Sequence, residues 1–229
     1  MHSTMRFFNI YQYLAPLLIL PLAYWLWLDR AGGEHRAALL MLSVPVLYAY
    51  LVPAVGTNVL RIWEFNTRFR LGRFRPHHGF VFGSVTSLFA LVCVPAGGAA
   101  WSWTEVVRAG FVLGSVLAFW NWLYDVMALR SGFLRVYTRS YADGLGPEAV
   151  AMDYAPPIFG LFGLCYGPAI VVAEHVLNTM GRWDWYWALL VVSNAVCIAI
   201  PVAGYVAWSY ARNGTHGLKS YERVTETPR

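Results

Sequence analysis

The chain has 229 residues, of which 58% are hydrophobic and only 13% charged. A soluble domain carries about 25% charge, so this composition argues against a water-covered globule, whereas lipid accepts apolar side chains on every face of a helix. The net charge of +5 is no sign of a nucleic-acid partner, and its placement among the loops is what carries information.

A helix that crosses the hydrocarbon core needs about 20 residues. Six segments meet that length, near residues 8–28, 37–60, 80–103, 107–129, 158–179 and 185–208. The expected fold class is therefore all-α: a polytopic, multi-pass membrane protein forming one transmembrane domain over residues 1–229. The first segment reads as an uncleaved helix rather than a signal peptide. Only Arg6 precedes it, its apolar run is long, and no small-x-small cleavage site follows.

The second segment runs into Arg61-Ile-Trp-Glu-Phe-Asn66, which is expected to bring Glu64 and Asn66 to the membrane interface as the end of that helix. The loop 61–79 follows. Its arginines, among them Arg68, Arg70, Arg73 and Arg75, alternate with Trp63, Phe65, Phe69 and Phe74. Guanidinium forks pair with anionic oxygens while aromatic rings settle at headgroup level, so these four arginines are candidates to bind an anionic head. His77 and His78 close the loop. Adjacent side chains diverge by about 100° on a helix, and no HxxxH or HExxH spacing accompanies them, so no metal site and no cofactor is assigned. The third segment ends in the small-residue run Ala96 to Ala100, suited to close helix packing.

The fourth segment carries Asn121 and Asp125, four apart and on one face, with Tyr124 beside them. Ionisable groups near a span are costly and mark function by default. Asp125 and Glu64 are the candidate acid/base residues and Asn121 their candidate partner. The competing structural expectation pairs Asp125 with Arg130, and Glu64 with Arg61 or Arg68. Loop 130–157 is expected to begin with an interfacial amphipathic helix, Leu134 to Ala142, in which Arg135 and Arg139 face headgroups together. Asp143-Gly144 and Gly146-Pro147 read as turns rather than a phosphate cradle. Asp153 and Tyr154 precede the Pro156-Pro157 pair, and Asp153 joins the candidate substrate-binding group with Tyr124.

The fifth segment holds Glu174 and His175, expected as a polar contact to Asn178 or Asn194, with a proton relay as the alternative. Cys93, Cys165 and Cys197 all lie in apolar stretches, with no disulfide or zinc spacing. With both termini cytoplasmic, the loops 61–79 and 130–157, the tail 209–229 and Arg6 hold 13 of the 17 Lys and Arg residues. The positive-inside rule favours that orientation, in a bacterial plasma (inner) membrane. The sequon at Asn213 then lies in the cytoplasmic tail, where it would escape glycosylation.

No family signature is complete. The DGxxAR motif of phosphatidyl-alcohol transferases is absent, and Asn121-x3-Asp125 overlaps only a fragment of the acidic repeat of prenyl-diphosphate transferases. Trp63-Glu64-Phe65 is similar to a segment of small membrane terpene cyclases, whose acids protonate polyenes, but the likeness covers three residues. The expected function is an integral membrane enzyme acting on an isoprenoid or phospholipid at the cytoplasmic leaflet, with membrane lipids as partners. The alternatives are a non-catalytic subunit of a larger membrane complex and a small transporter, the latter as a homo-oligomer.

Overall fold

A computed structural model of the chain describes residues 2–96 and 101–222, and its architecture is mostly helical. In chain order the elements are helix α1 (Ser3–Arg30), α2 (His35–Val59), strand β1 (Trp63–Phe65), α3 (His78–Cys93), α4 (Trp103–Ser131), β2 (Leu134–Val136), short helices α5 (Arg139–Ala142) and α6 (Pro147–Met152), α7 (Pro156–Thr179) and α8 (Trp183–Asn213). Five of these, α1, α2, α4, α7 and α8, are long and apolar enough to cross a membrane. Their outward faces carry apolar side chains such as Leu17, Phe111, Trp187 and Val191, all strongly exposed, as lipid contact requires.

The third expected span departs from the prediction. It is expected to reach Trp103, yet α3 stops at Cys93 after 16 residues, about 24 Å at the α-helical rise. The cause is local: Val94 precedes Pro95, and the proline ring drives its neighbour out of the helical region, here to ψ 113°. Of the small-residue run, Gly97 to Ala100 lie outside the described residues, as do Arg223 and Arg229 of the tail.

Wide π turns interrupt α1, end α2 and begin α7. Those at Ala15–Ile19, Val55–Val59 and Pro156–Gly160 contain or follow prolines, whose ring and missing N–H break the regular ladder. A further π turn, His175–Thr179, ends α7 without one.

The tightest helix pairing is α4 against α7, and small residues make it. A Cβ on Gly163 would sit 2.7 Å from the Gly114 Cα, and one on Gly114 would sit 2.8 Å from the Gly160 carbonyl oxygen. Neither contact is sterically possible, so only glycine lets the two backbones approach this closely. Leu113 and Leu117 of α4 and Phe162, Tyr166 and Ile170 of α7 are fully buried along the seam.

Loops 61–79 and 130–157 emerge at the same end of the bundle, called here the loop end, and pair there as a two-stranded antiparallel ladder, with Trp63 opposite Val136, Glu64 opposite Arg135 and Phe65 opposite Leu134. This corrects two expectations. Residues 61–66 do not extend the second helix, because the chain turns sharply at Arg61, at φ 56°. Leu134 to Ala142 is not one amphipathic helix, because Gly132 at φ 77° caps α4 and the chain leaves it extended. Both triplets, Trp-Glu-Phe and Leu-Arg-Val, alternate apolar with charged residues, and the strand period of two places their apolar side chains on one face. The tail crosses this end: the Tyr205 hydroxyl donates to Gly217 O at 2.7 Å, Tyr221 N donates to Tyr137 O at 2.9 Å, and Arg73 pairs with Glu222 at 2.8 Å.

Candidate functional site

The ladder's apolar face closes a cavity of about 110 Å³ between α1, α2, α3, α4 and the start of α7. Trp63 and Phe65 line it from β1, Leu134 and Val136 from β2, and Phe82 and Trp120 from α3 and α4. Gly56 makes the position of Trp63 possible, since a Cβ there would fall 2.5 Å from the indole ring. Against these aromatic walls, the only side chains of ordinary formal charge that line the cavity among the described residues are Asp125 and Arg75.

Asp125 is 8% exposed, and its Oδ2 accepts a 2.8 Å hydrogen bond from the Tyr154 hydroxyl. It does not pair with Arg130, which reaches Glu148 instead. Asn121 and Tyr124 line the same cavity. The Asn121 amide donates back to Leu117 O at 2.9 Å, and the Tyr124 ring stands edge-on to Phe8 at 5.0 Å. Helical spacing on α4 thus brings all three to one wall, and the glycine seam holds α7 close enough for Tyr154 to reach Asp125.

Arg75 is 1% exposed. Its Nη2 lies 2.6 Å from His78 Nδ1; since a guanidinium can only donate, Nδ1 accepts, and the neutral imidazole carries its proton on Nε2. The guanidinium carbon sits over the Phe65 ring at 4.7 Å and the Phe133 ring at 5.4 Å. Its Nε and Nη1 are buried without a well-formed hydrogen bond, and the Tyr124 hydroxyl is the nearby side-chain acceptor. Burial lowers the Arg75 pKa, an effect the Tyr124 and Tyr11 phenols oppose. A buried guanidinium with unmet donors is costly.

The other predicted site residues lie elsewhere. Glu64 points away from the cavity because it alternates with Trp63 and Phe65 on the strand. It accepts from the Tyr137 hydroxyl at 2.8 Å and pairs with Arg135 at 3.2 Å, not with Arg61 or Arg68. Burial first and the Glu64 bond next push the Tyr137 phenol up to about 12. Arg68 and Arg70 are exposed on the loop surface, and Arg73 is engaged by Glu222, so the four arginines do not converge. Asp153 is buried but binds the Ser140 backbone N–H and hydroxyl and Arg212 Nε, tying the loop end to α8. Arg139 pairs with Asp143, four residues on, so it does not work with Arg135.

His77 and His78 diverge. His77 lies between Tyr13 and Phe69, ring centroids 5.0 and 5.7 Å away, with neither nitrogen bonded. Burial first, then the Arg75 charge, push it down to about 4. Among the described residues no three His, Cys, Asp or Glu side chains converge on a metal-sized space. Tyr11, Phe82, Trp120, Phe133 and Tyr154 line the cavity without a sequence signal beyond being aromatic. The pairing of Arg75 with His78 had one: the two are three residues apart on either side of a proline.

At the opposite end of the bundle, Glu174 meets neither Asn178 nor Asn194. Arg30 Nε and Nη2 donate to its two oxygens at 2.6 and 2.9 Å, while Nη1 and Nη2 also reach Val94 O and Pro95 O. His175 packs against Trp101 at 5.0 Å. A pair engaged in this way gives no support to a proton relay.

A second, almost wholly apolar cavity of about 260 Å³ lies between α2, α8 and the tail. It shares Val52, Trp63, Val136, Tyr154 and Ile158 with the first, so the two adjoin along these residues. No protein-family model, curated protein or solved structure matches this chain.

Proposed function

We propose that this protein is an integral membrane enzyme acting on a lipid or isoprenoid at the cytoplasmic leaflet, with Asp125 as its acid/base residue. The observation that carries this reading is the placement of one carboxyl and one guanidinium in an otherwise aromatic cavity. An apolar pocket with few convergent polar groups is the usual form of a small-molecule site. Asp125 has a hydrogen-bond donor in Tyr154, which stabilises the carboxylate once a proton is given up. Asn121 and Tyr124 stand beside it to orient a substrate, and Arg75 takes the anion-holding role in place of the exposed arginines.

In this reading the chain crosses the membrane six times, α3 being the short span, with both termini in the cytoplasm of a bacterial cell. Support comes from the arginine bias of the loop end and from the apolar outer faces of the long helices. The cavity then opens at the cytoplasmic leaflet, where a lipid can enter sideways.

The test is a comparison of host lipids by mass spectrometry between cells carrying the wild-type chain, Asp125→Asn and Glu64→Gln. Asp125→Asn is expected to remove a lipid product or accumulate its precursor, while Glu64→Gln leaves the profile near wild type. Unchanged lipids in cells where Asp125→Asn is inserted at wild-type levels would overturn the proposal.

A further inference from the structure

Arg75 narrows the substrate class. Nε and Nη1 are unmet donors on a side chain that is 99% buried, in a chain whose other buried polar groups mostly have partners. Phe65 and Phe133 hold the guanidinium, and His78 occupies only Nη2. Nη2 carries two hydrogens and His78 takes one, so one edge of the guanidinium keeps two parallel donors, the second Nη2 hydrogen with either Nε or Nη1, a geometry that matches a planar oxyanion such as a carboxylate.

Charge decides between a carboxylate and a phosphate ester. Among the described residues Arg75 is the one cation lining either cavity, and Asp125 shares its chamber. A diphosphate would bring two or more negative charges against a single guanidinium and beside a carboxyl, in surroundings where screening is weak. A single carboxylate is neutralised by Arg75 alone. The apolar remainder of the ligand has a place as well: the second cavity adjoins the first along Trp63, Val136 and Tyr154 and offers almost no polar surface.

We propose that the site takes a carboxylate-headed lipid, with the head paired to Arg75 and a prenyl or acyl tail reaching into the apolar cavity between α2 and α8. This deepens the enzyme reading and rests on it only for the role of Asp125, which lies beside the head.

Equilibrium binding to the purified full-length protein in detergent micelles tests the assignment. Three radiolabelled probes share one tail and differ in the head: farnesoic acid, farnesol and farnesyl diphosphate. Heat-unfolded protein in the same micelles supplies the background. Farnesoic acid is expected to bind at least tenfold more tightly than farnesyl diphosphate. Arg75→Gln should weaken farnesoic acid tenfold or more and leave farnesol within about twofold, with Arg75→Lys intermediate. Ile198→Trp, which fills the second cavity, should weaken both farnesoic acid and farnesol. Diphosphate binding as tight as carboxylate, farnesoic acid binding that ignores Arg75, or no binding above background would each overturn the proposal. The arms also separate it from the enzyme reading. Arg75-dependent binding with host lipids unmoved by Asp125→Asn would leave the ligand class standing and remove the enzyme. A changed lipid profile without carboxylate preference would do the reverse.

Discussion

Two arginines with little exposed surface, Arg30 partly buried and Arg75 fully so, sit at opposite ends of this bundle, and they are built differently. Arg30 donates from all three nitrogens, to both oxygens of Glu174 and to two backbone carbonyls, at 2.6 to 2.9 Å. Arg75 has one imidazole partner, the Tyr124 hydroxyl nearby, and two buried nitrogens without a well-formed hydrogen bond. Both guanidiniums also lie over aromatic rings. Aromatic contact therefore does not distinguish them; hydrogen bonding does. Arg30 closes the ends of α1, α3 and α7 into a fixed joint, and four of its five N–H donors are engaged. Arg75 faces a cavity with capacity left over. A fold has no structural need for unmet donors on a buried charge, so the incomplete arginine is the one that points to a ligand.

The comparison breaks most visibly at Arg30. Glu174→Ala leaves that largely covered guanidinium without its counter-ion, and losing one member of a fully buried pair costs about 3–5 kcal/mol, an upper bound for this partly buried one. Thermal unfolding in detergent should show a large fall in Tm, and a double change, Arg30→Met with Glu174→Leu, should recover most of it. A single variant as stable as wild type would contradict the joint. Arg75→Met should behave in the opposite way: it removes an incompletely satisfied charge, so stability is expected to stay within about 1 kcal/mol of wild type or to rise, while carboxylate binding is lost. A fall as large as that of Glu174→Ala would place Arg75 with the structural arginines.

Next in size is the glycine seam that positions Asp125 against Tyr154. Gly163→Val forces a side chain into the Gly114 backbone, and overpacking of this kind costs about 1–3 kcal/mol. The Tm should fall, and turnover of the host lipid should fall with it because α7 is pushed away from α4. Loss of stability with full activity would show that the site tolerates a looser α4–α7 pair.

Much of the fold was legible in the sequence because long apolar helices carry a simple pattern. Apolar runs of sufficient length placed five of the long helices within a few residues, and the spacing of Asn121 and Asp125 correctly put them on one wall. What failed was the reading of short segments. Val94-Pro95 ended α3 early, a local effect that hydropathy does not register. Glu64 was assigned by membrane depth, yet a three-residue strand alternates faces, and depth says nothing about which face. The Trp-Glu-Phe and Leu-Arg-Val triplets carry the alternation, but their pairing joins segments about 70 residues apart, and single-chain periodicity does not report partners. The arginine loop misled for a related reason. Composition treated Arg68, Arg70, Arg73 and Arg75 as one group, whereas the turn before Pro76 buries only the last of them. Arg30 and Glu174, separated by 144 positions, carried no local signal of each other at all.

Smaller effects refine the site end. Tyr154→Phe removes the single hydrogen bond to Asp125 and should cost about 1 kcal/mol, visible as a slight fall in Tm alongside a clear change in the pH profile of turnover. Unchanged pH dependence would leave Tyr154 as a packing residue.

The smallest expected effect reports on the Arg75 charge itself. His77 is held down to about 4 from its ordinary 6.5, by burial first and by the Arg75 charge second. The unfolded chain takes up the proton earlier than the folded one, so stability rises with pH across this window. The contribution of neutral His77 is present in full above about pH 6.5 and is lost as the pH falls toward 4. Tm measured in detergent from pH 7 to 4 should therefore fall more for wild type than for His77→Phe, with the two curves parallel above pH 7. In Arg75→Met the repulsion is gone, His77 titrates closer to 6.5, and the acid-induced loss is smaller than in wild type. Identical losses in wild type and Arg75→Met would mean that Arg75 exerts no charge on its neighbour. The contrast with the neutralised Arg30 would then vanish, because a guanidinium silent toward His77 already has a counter-ion.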